Sequence, residues 1–80
     1  MKLRFIGIDP NTDGANCPRV WVNDEAQEFV FQGWEADEEL TDKVRSTGPL
    51  PDGETVVRIP MRMVRILREA CDAAEGLDIR

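Results

Sequence analysis

The chain is predicted to be α+β, a small antiparallel sheet of three to four strands with a C-terminal amphipathic helix packed on one face. Three observations predict this. Arg19 to Trp34, RVWVNDEAQEFVFQGW, sets two runs rich in Val, Phe and Trp around a polar break from Asn23 to Gln27, the signature of a β-hairpin. From Pro60 to about residue 75, apolar side chains recur at the period of a helix with one buried stripe. The 80 residues make one domain, 1–80, whose 41% aliphatic and aromatic content builds a single modest core. One helix laid across one small sheet is the economical way to bury both apolar surfaces.

Leu3 to Ile8 is a short strand of mixed faces, and Gly7 marks a bend or a close approach. Asp9 to Asn16 is rich in turn formers and reads as an exposed loop into the hairpin. In the hairpin, pairing Val22 with Phe29 sets Val20 opposite Phe31, and these four share one side of the ladder. The other side carries Trp21, Val30 and, further along, Trp34, with Arg19 and Gln32 among them. Asp37 to Arg45 places acid first and base last, the order that suits a helix macrodipole, with Leu40 and Val44 available to the core. Residues 46–53, STGPLPDG, are a linker barred from regular structure by two prolines and two glycines. Glu54 to Ile59 is a further strand.

Pro60 suits the first position of the final helix because no N–H is needed there. Pro60, Met63, Val64, Leu67, Ala70, Cys71 and Ala74 fall within one arc, widened by Ile66, Ala73 and Leu77, and Gly76 is the expected stop. This stripe is expected to lie on the Val/Phe side of the hairpin. The Trp side is then covered either by a neighbouring loop or by another chain. A domain this small buries only about 60% of its unfolded surface, which favours the second.

Composition narrows the chemistry. There is no histidine, the commonest general base, and the single serine, Ser46, sits in the linker without a base near it in sequence. Two cysteines, Cys17 and Cys71, are too few for a Cys/His zinc site or a disulfide framework, and Cys71 is expected to be a small buried hydrophobe. No phosphate-binding glycine loop is present. No catalytic residue, resident metal or cofactor is therefore expected, and the chain reads as a non-enzyme. A formal charge of −6 argues against direct nucleic-acid binding. The apolar start is too short for a signal peptide and no segment has the length of a membrane span, so a cytoplasmic location without membrane contact is expected.

Two features point to binding besides the Trp side. Asp9-Pro10-Asn11-Thr12-Asp13-Gly14 resembles the opening of a calcium loop, but its twelfth position is Val20 where the closing Glu should be and no helical pattern leads into it, so an ordinary Asx/Gly turn is the preferred reading. Arg58, Arg62 and Arg65 follow near helical spacing, either as a basic stripe for a carboxylate or phosphate surface or as a solvated face laced with Arg65–Glu69 and Arg68–Asp72 pairs. A small ion- or anion-binding domain is accordingly the alternative function.

FIGIDP, the VWV…FVFQGW hairpin and LPDGETVVRIPMRMVRIL together resemble a group of small acidic actinomycete proteins of unknown function, encoded beside helix-turn-helix regulators. The resemblance spans nearly the full length and rests on turns, strand aromatics and the helix start. It implies a companion role, contact with a DNA-binding regulator, and no catalytic residue. The function expected is a protein–protein interaction module, a homodimer or accessory partner of such a regulator, with Trp21, Val30, Trp34, Arg58, Arg62 and Arg65 as candidate partner-binding residues.

Overall fold

The hairpin forms in the register its side-chain alternation requires. Strands β2 (Arg19–Asn23) and β3 (Glu28–Gln32) pair Val22 with Phe29, Trp21 with Val30 and Val20 with Phe31. The turn between them is held by Asn23, whose Oδ1 accepts the Ala26 N–H at 3.1 Å. In this computed structural model the described residues are 1–11, 14 and 16–79, with side chains through Gly76.

Strand β1 (Arg4–Ile8) adds antiparallel to the far side of β2, giving a three-stranded sheet in the order β1-β2-β3. Its register slips by one residue between Phe5 and Gly7, so Ile6 bulges out of the ladder and packs against the core. Beyond Gly33 the chain pairs again as a separate two-stranded ribbon, β4 (Trp34–Glu35) with β5 (Val57–Arg58). Gly33 is required where it stands, because a Cβ there would come within 2.4 Å of the Arg58 carbonyl oxygen. The strand expected over Glu54 to Ile59 is thus only two residues long, and the hairpin expected as one unit from Arg19 to Trp34 is divided at Gly33.

Helix α1 (Glu38–Arg45) starts at Asp37, whose Oδ1 accepts the Leu40 N–H at 2.9 Å, with Glu38 and Glu39 in the first turn and Lys43 and Arg45 in the last. None of its residues is fully buried, so Leu40 and Val44 only graze the rest of the chain. A 3₁₀ turn over Met61–Met63 leads into α2 (Val64–Ile79), which runs through Gly76 rather than stopping there.

Helix α2 lies across β1 and β2. The core is Val20, Val22, Met63 and Ala70, flanked by Ile6, Ile59, Ile66, Leu67 and Ala73. Each fully buried side chain of this size contributes about 1.5–3 kcal/mol. Gly7 lets the helix approach β1, since a Cβ there would meet the Ile66 side chain at 3.0–3.2 Å. The buried stripe, Met63, Ile66, Leu67, Ala70 and Ala73, lies within the predicted arc on its widened side, while Val64 is 49% exposed and Cys71, expected inside, is exposed.

Candidate interaction surface

The register lines up Phe5, Trp21 and Val30 as neighbours across the three strands, on the face opposite α2. The Phe5 and Trp21 rings meet edge to face, with centroids 6.3 Å apart and planes at 67°. Phe5 is 54% exposed and Leu3, just before the strand, is 44% exposed. Among the described residues no helix covers this face. What lies over Trp21 is Arg19, whose guanidinium carbon is 5.0 Å from the ring centroid. Arg19 Nη2 donates to Gln32 Oε1 at 2.7 Å, and Gln32 Nε2 donates to the Cys17 carbonyl at 3.0 Å. The aromatic row therefore ends at a braced polar row, with Arg19 Nε buried and lacking an acceptor.

On the helix side the sheet is only half covered. Val20 and Val22 are buried, yet their partners Phe31 and Phe29 are 43% and 46% exposed and stack on each other with centroids 6.4 Å apart. The expectation that α2 shields the whole Val/Phe face is corrected. A helix is about 10 Å across and strands are about 4.8 Å apart, so one helix spans two strands and leaves the third bare.

Trp34 does not extend the Trp21 row. It belongs to the β4-β5 ribbon, half-buried, with the Arg58 guanidinium 5.4 Å from its ring centroid. Arg58 Nε and Nη2 both donate to the Glu35 carbonyl at 3.2 Å, and Trp34 Nε1 is buried without an acceptor.

The three arginines do not form one stripe. Arg58 is engaged with Trp34, Arg62 reaches across to Asp9, and Arg65 is exposed with no ion pair among the described residues. The Arg65–Glu69 and Arg68–Asp72 pairs are likewise not formed. Arg62 Nε and Nη2 donate to the two Asp9 oxygens at 2.6 Å each, a bidentate clamp. Asp9 is fully buried, where an exposed loop residue was expected, and it also accepts the Asn11 N–H at 3.1 Å. The bond from Arg62 holds the Asp9 carboxyl below the usual aspartate range despite the opposing effect of burial, and the Asn11 N–H adds to the lowering. The same bond raises Arg62 further. The carboxylate that would open a calcium loop is thus already committed to a guanidinium. Thr12 and Asp13 of that motif lie outside the described residues. Among the described residues no three potential metal ligands gather, and neither cysteine is in a disulfide.

Comparison with models of protein families, with curated proteins and with solved structures gives no match. The fold and the surface therefore carry the functional reading alone. No helix among the described residues is long and apolar enough to cross a membrane.

Sequence reasoning singled out Trp21 and Val30 and missed Phe5, Phe29 and Phe31. The signal for the last two was present in the width of a helix relative to a three-stranded sheet. For Phe5 it was the alternation of β1, which sets Phe5 opposite Trp21 and Ile6 toward the core.

Proposed function

We propose that this chain is a non-enzymatic interaction module whose Phe5/Trp21/Val30 face lies against a second protein. The observation that carries this reading is that no helix among the described residues covers the sheet face opposite α2, where Phe5 is 54% exposed beside the half-buried Trp21 and Val30. Exposed apolar patches rimmed by polar groups mark contact sites, and aromatic side chains backed by arginine are the usual anchors of such contacts. The second protein is another copy of the chain or a helix-turn-helix regulator, the partner suggested by the resemblance. Arg19, stacked on Trp21 and short of an acceptor at Nε, would supply a directional polar contact at the rim. Trp34 and Arg58 form a second, smaller aromatic–arginine site on the ribbon, and the exposed Arg65 is free to meet an acidic group on a partner.

The double variant Phe5→Ala/Trp21→Ala tests this. The edge-to-face pair itself contributes about 0.5–1.5 kcal/mol beyond the apolar area that the half-buried Trp21 covers within the fold. Denaturant unfolding is expected to show only a partial loss, while binding to a helix-turn-helix regulator, followed by titration, is abolished. A loss of roughly 3–5 kcal/mol, as for deletion of a core aromatic, would show that the rings hold the fold instead.

A further inference from the structure

We infer that a second copy of this chain docks along the outer edge of β3, antiparallel to it, across a two-fold axis that passes through Val30. This rests on the reading of the chain as an interaction module but uses a different surface, leaving the Phe5/Trp21 row open to another partner.

Four observations lead there. The outer side of β3 has no neighbouring strand, and among the described residues no backbone bond reaches it from a turn, loop or cap. The strand lacks the devices that keep bare edges apart, having no proline, lysine or bulge from Glu28 to Gln32. The opposite edge is guarded: β1 carries Arg4, the bulge at Ile6 and Gly7. The sequence Glu28-Phe29-Val30-Phe31-Gln32 reads alike in both directions in its chemistry. A two-fold contact needs this, because each residue meets its mirror position on the partner.

Pairing about Val30 sets Phe29 beside the second copy's Phe31, on the face α2 leaves uncovered. Four phenyl rings, now 43–46% exposed, would then share one strip. Glu28 would meet the second copy's Gln32 rather than another carboxylate. Among the described residues Glu28 has no ion pair, and Gln32 is braced by the Arg19 guanidinium, so the incoming carboxylate finds an amide donor with a cation behind it. That charge match favours a second copy over an arbitrary extended segment. A five-residue edge is small beside the about 800 Å² per partner of a standard interface, so the dimer is expected to be reversible.

Sedimentation of the wild-type chain from low to high micromolar concentration is expected to move from the 9.1 kDa monomer toward twice that mass. Phe31→Lys is expected to raise the dissociation constant at least about tenfold, the effect of burying an unpaired charge at the contact. Val30→Cys in a Cys17→Ser/Cys71→Ser background is expected to give a disulfide-linked dimer on mild oxidation. Antiparallel partners lie about 4.5–5.5 Å apart at Cα, within the roughly 4.4–6.8 Å a disulfide spans. A wild type that stays monomeric throughout overturns the inference, and the Phe5/Trp21 reading then stands on its own titration. A dimer abolished by Phe5→Ala/Trp21→Ala, but untouched by Phe31→Lys and not cross-linked through Val30→Cys, also overturns it while sustaining that broader reading.

Discussion

The two edges of the three-stranded sheet are made from similar residues and meet opposite ends. At the β1 edge, Gly7 admits Ile66, Ile6 bulges toward the core, and α2 closes over the top. At the β3 edge, Phe29 and Phe31 lie on the same sheet face as the helix yet stay 46% and 43% exposed, and nothing among the described residues takes them up. The difference teaches that coverage here follows the reach of one helix rather than hydrophobicity. The helix settles where backbone lets it come close, over a glycine, and leaves the larger rings outside.

The sharpest way to break that comparison is to delete a large apolar side chain from each part, one under the helix and one beyond it. Met63→Ala, at a side chain with no exposure, is expected to cost about 2–5 kcal/mol in denaturant unfolding. Phe29→Ala, at a ring nearly half in solvent, is expected to cost well under half as much in dilute protein, although phenylalanine is the larger residue. Equal losses would mean that β3 is as much a part of the core as β1.

A second comparison sharpens the role of the β1 end. Asp9 and Arg62 tie the exit of β1 to the start of α2 through two 2.6 Å bonds. Asp9→Asn leaves Arg62 without its anion and is expected to lower the melting temperature by roughly 10 °C. The sign of the pH dependence follows from the lowered Asp9 pKa. The folded state holds the proton less tightly than the unfolded chain, so this contribution is full above the ordinary aspartate value of about 3.9. It declines below that value and is gone once pH falls beneath the folded value. Melting curves should show this acid-limb loss in the wild type and not in Asp9→Asn. An identical limb in both would remove the clamp from the account.

Much of the fold was legible because alternation and capping are local signals. The parity of RVWV against FVFQ specified the Val22–Phe29 register, and the acid-first, base-last order of residues 37–45 specified that α1 lies there. The α+β layering followed from these and from the stripe on α2. The departures came from contacts between residues far apart in sequence. Asp9 is buried because Arg62 arrives from 53 positions away. The hairpin is cut at Gly33 because the Arg58 carbonyl crosses there, and Ile66 packs close to β1 because Gly7 has no side chain to meet it. Propensity and period carry no information about such meetings. For the surface, Trp21 and Val30 were readable from parity. The more exposed phenylalanines were hidden by the assumption that a helix shields every residue on the face it touches.

Hydroxyl-radical footprinting of the wild-type chain across concentration, read by mass spectrometry, tests the central claim that one helix secures half the sheet and leaves its aromatic remainder to another chain. Met61 and Met63 give an internal scale, the first 94% exposed and the second fully buried. The account predicts that Phe5, Phe29 and Phe31 label readily in dilute protein while Met63 stays silent, and that Phe29 and Phe31 become protected as the chain associates. Labelling of Phe29 and Phe31 as weak as that of Met63 at the lowest concentration would contradict it.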